Sequence, residues 1–306
     1  IAQLVADDLG IDIGQVMVTA TSTDKNNNTS PTAASAGTDL NGSAALDACA
    51  RLRERLARVA ANMLAGAAAG FAPEPSCVRF ANSCVYDQRD PARTLPFSKL
   101  VRQAYEQRVS LGERGFYATP GVDFNRETGQ GQPFLYYTNG VACAEVRIDR
   151  FTGEVKVPRV DLLMDIGQSI NPGIDRGQIT GGFIQGMGWV TTEELKYSEK
   201  GELLSHSPTT YKIPNISDVP ETFNVALLDN PNNVVSLKRS KAVGEPPLLL
   251  GISVWVAVKD ALCRARGEVV GLSIPATNEQ VCLRLHSAGG VRRHAEGASP
   301  SPVHQS

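Results

Sequence analysis

Between Asp175 and Leu195 the chain reads as a helix, yet it carries Gly177, Gly181, Gly182, Gly186 and Gly188 within that span. Each glycine in a helix interior costs about 0.5–1 kcal/mol relative to alanine, so close approach of another backbone or of a ligand has to offset the loss. The spacing sharpens the demand. Gln178, Gly181, Gly182 and Gln185 stand at i, i+3, i+4 and i+7, which puts two carboxamides and two bare backbone patches on one face. A planar polar ligand suits such a face. Tight helix packing accounts for the glycines and leaves the glutamines without a purpose, so both explanations stand on spacing alone. No Gly-x-Gly-x-x-Gly follows a strand, and a dinucleotide site is not indicated.

The rest of the chain bounds the class of protein. Its 306 residues suffice for a sizeable core in one large or two ordinary domains. A net charge of −2 supplies no field that attracts nucleic acid or anionic lipid, so neither is expected as a partner. There is no run of about 18 uncharged apolar residues and no secretory start, and a cytoplasmic location is the default expectation. Six cysteines without a Cys-x-x-Cys pair, and four histidines, argue against a thiolate-held zinc or iron–sulfur site; the thiols are expected to be reduced and mostly packed. No metal ligands are assigned.

Periodicity predicts an opening helix through Ile1, Leu4, Val5 and Leu9, uncapped at its start and so read as part of something longer. A half-buried strand is expected at Gln15–Thr21 and a helix at Leu40–Leu64, with Asp39 as its cap and Arg51, Arg55 and Arg58 facing out. A further helix is expected over Phe97–Val109 and an exposed loop over Arg114–Gln132. Antiparallel strands follow at Pro133–Asp149 and Glu154–Asp165, joined by a turn at Phe151–Gly153. Short strands are expected at Phe223–Leu228 and Val234–Leu237, then one helix from Pro247 to Arg266. Strands and helices interleave without regular alternation, so the expected class is α+β, with mixed, mainly antiparallel sheets packed against helices. Residues 1–286 are taken as one domain and 287–306 as a disordered tail.

Two more segments carry chemistry. Asn26–Asp39, rich in Thr, Ser and Ala, leaves main-chain N–H groups accessible to a phosphate or polar heterocycle; a solvated loop explains the same composition. Glu245, in Ser240-Lys241-Ala242-Val243-Gly244-Glu245-Pro246-Pro247-Leu248, precedes a strongly apolar helix. An acid held near apolar surface becomes a usable general base, although an acid at a helix N-terminus is favoured electrostatically in any case. His206 reads as structural or exposed, and Glu193-Glu194 as a solvated helix face.

Together these segments resemble the molybdenum-cofactor region of the xanthine dehydrogenase and aldehyde oxidase family. The matching pieces are Thr21–Gly42, Asn139–Val157, Met164–Trp189, Thr210–Pro214 and Ser240–Gly251, and they span the chain from Ile1 to about Leu285. The Gly244-Glu245-Pro246-Pro247-Leu248 form is more similar to the purine-oxidising members than to the carbon monoxide dehydrogenases of that family. The resemblance implies the family's molybdopterin-binding fold, with Thr32, Ala33, Ala34 and Ser35 lining the pyranopterin, Gln178 and Gly182 on the cofactor side of the glycine-rich helix, and Glu245 as the catalytic base. It implies oxidation of hypoxanthine or xanthine to urate with water as the oxygen source; hydroxylation of aldehydes or N-heterocycles, or a noncatalytic fragment, are the alternatives. It further implies a molybdenum-molybdopterin cofactor, with 2Fe-2S, FAD and NAD sites on a partner chain or domains and hence a hetero-oligomer. The family's glycine-rich cofactor segment and its substrate-orienting residues belong upstream of Ile1, so this chain alone is expected to be inactive.

Overall fold

The structure, a computed structural model, describes residues 1–25, 33–65, 73–230, 232 and 235–287. The expected tail, apart from Ser287, lies outside these residues. The chain divides into two compact units, one of residues 1–137 and 230–242, the other of residues 138–229 and 243–306.

The first unit opens with α1 (Ala2–Leu9), which buries Leu4, Ala6 and Leu9. It stops at Gly10, whose φ of 63° and whose closeness to the Phe80–Ala81 backbone both exclude a side chain. The strand expected at Gln15–Thr21 does not form. Ile13–Gln15 is a single 3₁₀ turn, and Met17 and Val18 beyond it are 83% and 68% exposed. Alternation of apolar residues makes a strand only where a partner strand takes up the backbone hydrogen bonds, and among the described residues this segment has none.

A five-residue π-turn, Thr38–Gly42, leads into α2 (Ser43–Leu64). Asp39 lies inside that turn and is not the helix cap. Next come β1 (Val78–Ala81), β2 (Cys84–Asp87) and β3 (Asp90–Pro96), an antiparallel meander of short strands that the sequence reading missed, and then α3 (Phe97–Glu106). Leu56, Val59, Ala60 and Leu64 of α2 form one core with Val78, Val85, Leu95, Leu100 and Ala104. Of the outward arginines, Arg55 is held by Glu113 at 2.5 Å. The expected loop at Arg114–Gln132 contains an exposed two-stranded hairpin, β4 (Asp123–Asn125) with β5 (Gln130–Gln132).

The second unit is built on β6 (Asn139–Ile148) and β7 (Val155–Asp165), antiparallel as expected and joined through Gly153 at φ 73°. α4 (Pro172–Thr191) crosses to β8 (Thr222–Leu227), which pairs parallel to β7 and gives the sheet order β6-β7-β8. The expected helix from Pro247 is two helices, α5 (Pro246–Leu250) and α6 (Ile252–Arg266), meeting at Gly251. α7 (Asn278–His286), capped by the Thr277 hydroxyl on the Gln280 N–H at 3.3 Å, was not anticipated. Of the expected strand at Val234–Leu237, Val234 lies outside the described residues and Leu237–Arg239 is a 3₁₀ turn. The class is α+β. All six cysteines are free thiols, with Cys49 buried and Cys143 exposed.

Candidate functional site

α4 is set by its ends and its core face. Pro172 occupies the first turn, and the Asn171 side chain accepts from the Ile174 N–H at 3.1 Å. The Arg176 guanidinium donates to the Val225 carbonyl at 2.6 Å and ties the helix to β8. Ile179, Phe183, Met187 and Val190 are buried against Val160, Leu162 and Met164 of β7, and Phe183 meets the Phe223 ring at 5.4 Å.

The glycines divide between two other faces. Gly182 and Gly186 are buried: a methyl at Gly182 would stand 3.1 Å from Pro247 Cβ, and one at Gly186 would overlap the Leu248 carbonyl. These positions let the Gly244–Leu248 segment lie directly on the helix backbone. Around Gly177 and Gly181, by contrast, there is nothing within 4 Å, and Gln178 and Gln185 are exposed beside them. At 100° per residue Gly177, Gly181, Gln185 and Gln178 fall in one stripe about 100° wide, while Gly182 turns away from it towards α5. Packing therefore accounts for Gly182 and Gly186, and an open, amide-bearing strip remains.

Glu245 is the N-cap residue of α5. Its carbonyl accepts from the Leu248 N–H at 3.0 Å, and Pro246 and Pro247 fix the turn that follows. Pro247 is buried against α4, so the turn that carries Glu245 sits at Gly182, one helical turn from Gln178. The side chain itself is exposed, not held against apolar surface as the sequence reading had it, because the prolines and Leu248 turn inward while position 245 turns out.

In the first unit Thr32 lies outside the described residues. Ala33 and Ala34 are exposed and Ser35 is half-buried, and Ala34 has a φ of 57°, a left-handed conformation that costs a residue with a Cβ. The chain then enters the π-turn, where the Asp39 carboxylate accepts from the Tyr136 hydroxyl. The same phenol oxygen accepts from the Ala242 N–H at 2.9 Å. Burial pushes the Asp39 carboxyl above the usual carboxylate range, and burial together with the neighbouring acid pushes the Tyr136 phenol up as well. The sequence offered Asp39 only as a helix cap and did not single out Tyr136, because their link spans 97 positions and leaves no local signature.

Elsewhere, His206 is exposed and its Nδ1 lies 3.1 Å from the Leu203 carbonyl, in keeping with a structural role. Glu193 is not a solvated helix residue. It lies beyond α4, accepts from the Tyr211 hydroxyl at 2.6 Å and fills the space opposite Gly188. A cleft of about 360 Å³ opens near the C-terminal end of α4, lined by Lys156, Met187, Thr191, Pro214, Asp218 and Glu221; it includes none of the expected site residues. Among the described residues no group of three or more His, Cys, Asp or Glu side chains could hold a metal ion.

Residues 1–220 match the protein family described as a molybdopterin cofactor-binding domain. The chain belongs to the molybdopterin-binding part of the xanthine dehydrogenase and aldehyde oxidase family. It is 40% identical over 293 residues to a xanthine dehydrogenase of Oryza sativa subsp. japonica, covering 92% of this chain and 19% of that protein. It is 39% identical over 312 residues to a xanthine dehydrogenase/oxidase of Felis catus, covering 98% of this chain and 21% of the relative. This family member thus spans about a fifth of the length of the relatives it matches. Among solved structures, quinoline 2-oxidoreductase from Pseudomonas putida 86 superposes with a TM-score of 0.77 at 26% identity, over 94% of this chain and 35% of the other. A Cu,Mo-CO dehydrogenase superposes at 0.75 and 22% identity over 94% and 34%, a likeness of fold alone.

Proposed function

We propose that the chain is the molybdopterin-binding part of a molybdenum hydroxylase that oxidises hypoxanthine and xanthine to urate, with water as the source of oxygen. The observation that carries this is the open strip on α4, with the turn of Glu245 packed beside it through Gly182. Bare helix backbone flanked by two carboxamides fits a flat polar heterocycle. The molybdenum-molybdopterin group, when bound, supplies the redox centre that accepts two electrons from the substrate.

This chain's residues then hold and deprotonate. The Gln178 carboxamide would hydrogen-bond the pterin, and Gly182 lets the Glu245 turn lie against the same helix. From the resemblance, Thr32, Ala33, Ala34 and Ser35 would be main-chain and hydroxyl donors to a cofactor. A Glu245 carboxylate oxygen takes up the proton released as the water-derived oxygen is added to an electron-poor ring carbon. Exposure of Glu245 in this chain accords with a pocket whose remaining wall comes from other parts of a larger enzyme. The electrons leave through 2Fe-2S and FAD centres on a partner chain or domains, with NAD as acceptor, in a hetero-oligomer. No helix among the described residues is long and apolar enough to cross a membrane, and we place the enzyme in the cytoplasm.

Glu245→Gln in the complete enzyme is expected to retain molybdenum, measured by elemental analysis, while turnover falls by about 10²–10⁴. A variant that kept more than about a tenth of the parental rate would remove Glu245 as the base. Hydroxylation of an N-heterocycle or aldehyde is the second reading, favoured by the superposition on quinoline 2-oxidoreductase. Comparing turnover of xanthine, quinoline and an aliphatic aldehyde separates the two.

A further inference from the structure

We propose that Leu249 is a substrate-binding residue of the site built on Glu245: its side chain forms an apolar wall beside the carboxylate and selects flat two-ring heterocycles. This rests on the function proposed above, and both residues belong to the second unit. From Val243 to Leu250 only Glu245 and Leu249 are exposed, Leu249 by 62%. They stand at i and i+4. Glu245 and Gly251, at the two ends of α5, have right-handed helical backbone (φ −92°, ψ −39° and φ −58°, ψ −24°), so one helical register runs through the segment. Residues so spaced share a face with Cβ atoms about 5–6 Å apart, and a leucine in a helix leans back over the preceding turn, which here carries Glu245.

α5 cannot roll to hide this pair. Pro247 is buried on Gly182, the Leu248 carbonyl lies against Gly186, and a methyl at Gly251 would overlap the Gly186–Met187 backbone. These close contacts at both ends of a five-residue helix fix which face turns outward, so the carboxylate and the leucine are presented together. Two fused rings are long enough to cover both residues when the reacting carbon meets Glu245, whereas a short aldehyde ends before Leu249. Contact with the leucine removes apolar surface from water and moves no proton, so it contributes binding that is the same before and during the reaction. Its loss should appear in KM and leave kcat nearly alone.

The test uses the complete enzyme that carries this chain, with whichever of xanthine and quinoline the parental enzyme turns over. Leu249→Ala should raise KM about tenfold or more, keep kcat within about threefold, and leave molybdenum content and the thermal midpoint parental. Leu249→Met keeps the apolar volume and should hold KM within about threefold, whereas Leu249→Asn, of similar size but polar, should be as impaired as Leu249→Ala. Parental KM in Leu249→Ala, beside an inactive Glu245→Gln, overturns the wall and leaves the function intact. A lowered thermal midpoint with parental KM also overturns it, because another part of the enzyme would then occupy Leu249. Activity that falls only in step with molybdenum, or a Leu249→Asn enzyme that matches Leu249→Met, overturns it as well. Parental turnover in Glu245→Gln would sink the underlying function, and the wall with it.

Discussion

Gly181 and Gly186 occupy the same helix and respond to an added methyl group in opposite ways. At Gly186 the methyl would overlap the Leu248 carbonyl, so Gly186→Ala should push α5 off α4 and cost about 1–3 kcal/mol. At Gly181 there is nothing within 4 Å, and Gly181→Ala should stabilise the helix by about 0.5–1 kcal/mol. A glycine that weakens the fold and packs against nothing leaves room for something that approaches it when bound. Gly181→Ala is therefore expected to raise the thermal midpoint of the chain and to lower the molybdenum content of the complete enzyme. A higher midpoint with unchanged molybdenum would mean that the open strip contacts no cofactor.

At the scale of elements, the sequence was informative where the pattern is local and long. α2, α3 and α4, and the β6–β7 hairpin, carry their periodicity over ten residues or more and were read correctly in type. The four-residue strands β1 and β2 are too short to display alternation, and the 3₁₀ turn at Ile13 begins a stretch whose alternation finds no partner. The break at Gly251 was invisible because the apolar face continues through it; its cause is the close approach of the Gly186–Met187 backbone. Of the candidate site, the glycine-rich helix and Glu245 were legible, while the sorting of Gly182 from Gly181 and the Asp39–Tyr136 bond required tertiary contacts.

The β2–β3 connection illustrates a charge that only the fold explains. Asp87 is 3% exposed and accepts from the Arg89 N–H at 2.9 Å and from its guanidinium at 3.1 Å, and these bonds hold its carboxyl below the usual carboxylate range. A carboxyl with a lowered folded value favours folding above its ordinary value of about 3.9, and this contribution is lost as pH falls through the folded value. The thermal midpoint should thus drop on acidification below about pH 4. Asp87→Asn should lower the midpoint at pH 7 and flatten that acid limb. A variant with the parental acid slope would assign the pH dependence to other carboxyls.

For the whole molecule, the division into two units makes a claim about cooperativity. Each has its own core: Leu56, Leu100 and Val85 in the first, Phe183, Ile179 and Val160 in the second, all at most 1% exposed. The chain passes between the units after Tyr137, Asp229 and Ala242, so they are joined covalently at three places and yet bury separate apolar clusters. Units of this size with separate cores unfold as separate cooperative transitions when little energy couples them. Differential scanning calorimetry of this chain should accordingly resolve two transitions. Leu56→Ala should lower only the first unit's transition, by about 2–5 kcal/mol, and Phe183→Ala only the second's, by about 3–5 kcal/mol. If either substitution moved both transitions together, the two cores would be energetically one, and the molybdopterin-binding region would fold as a single cooperative body.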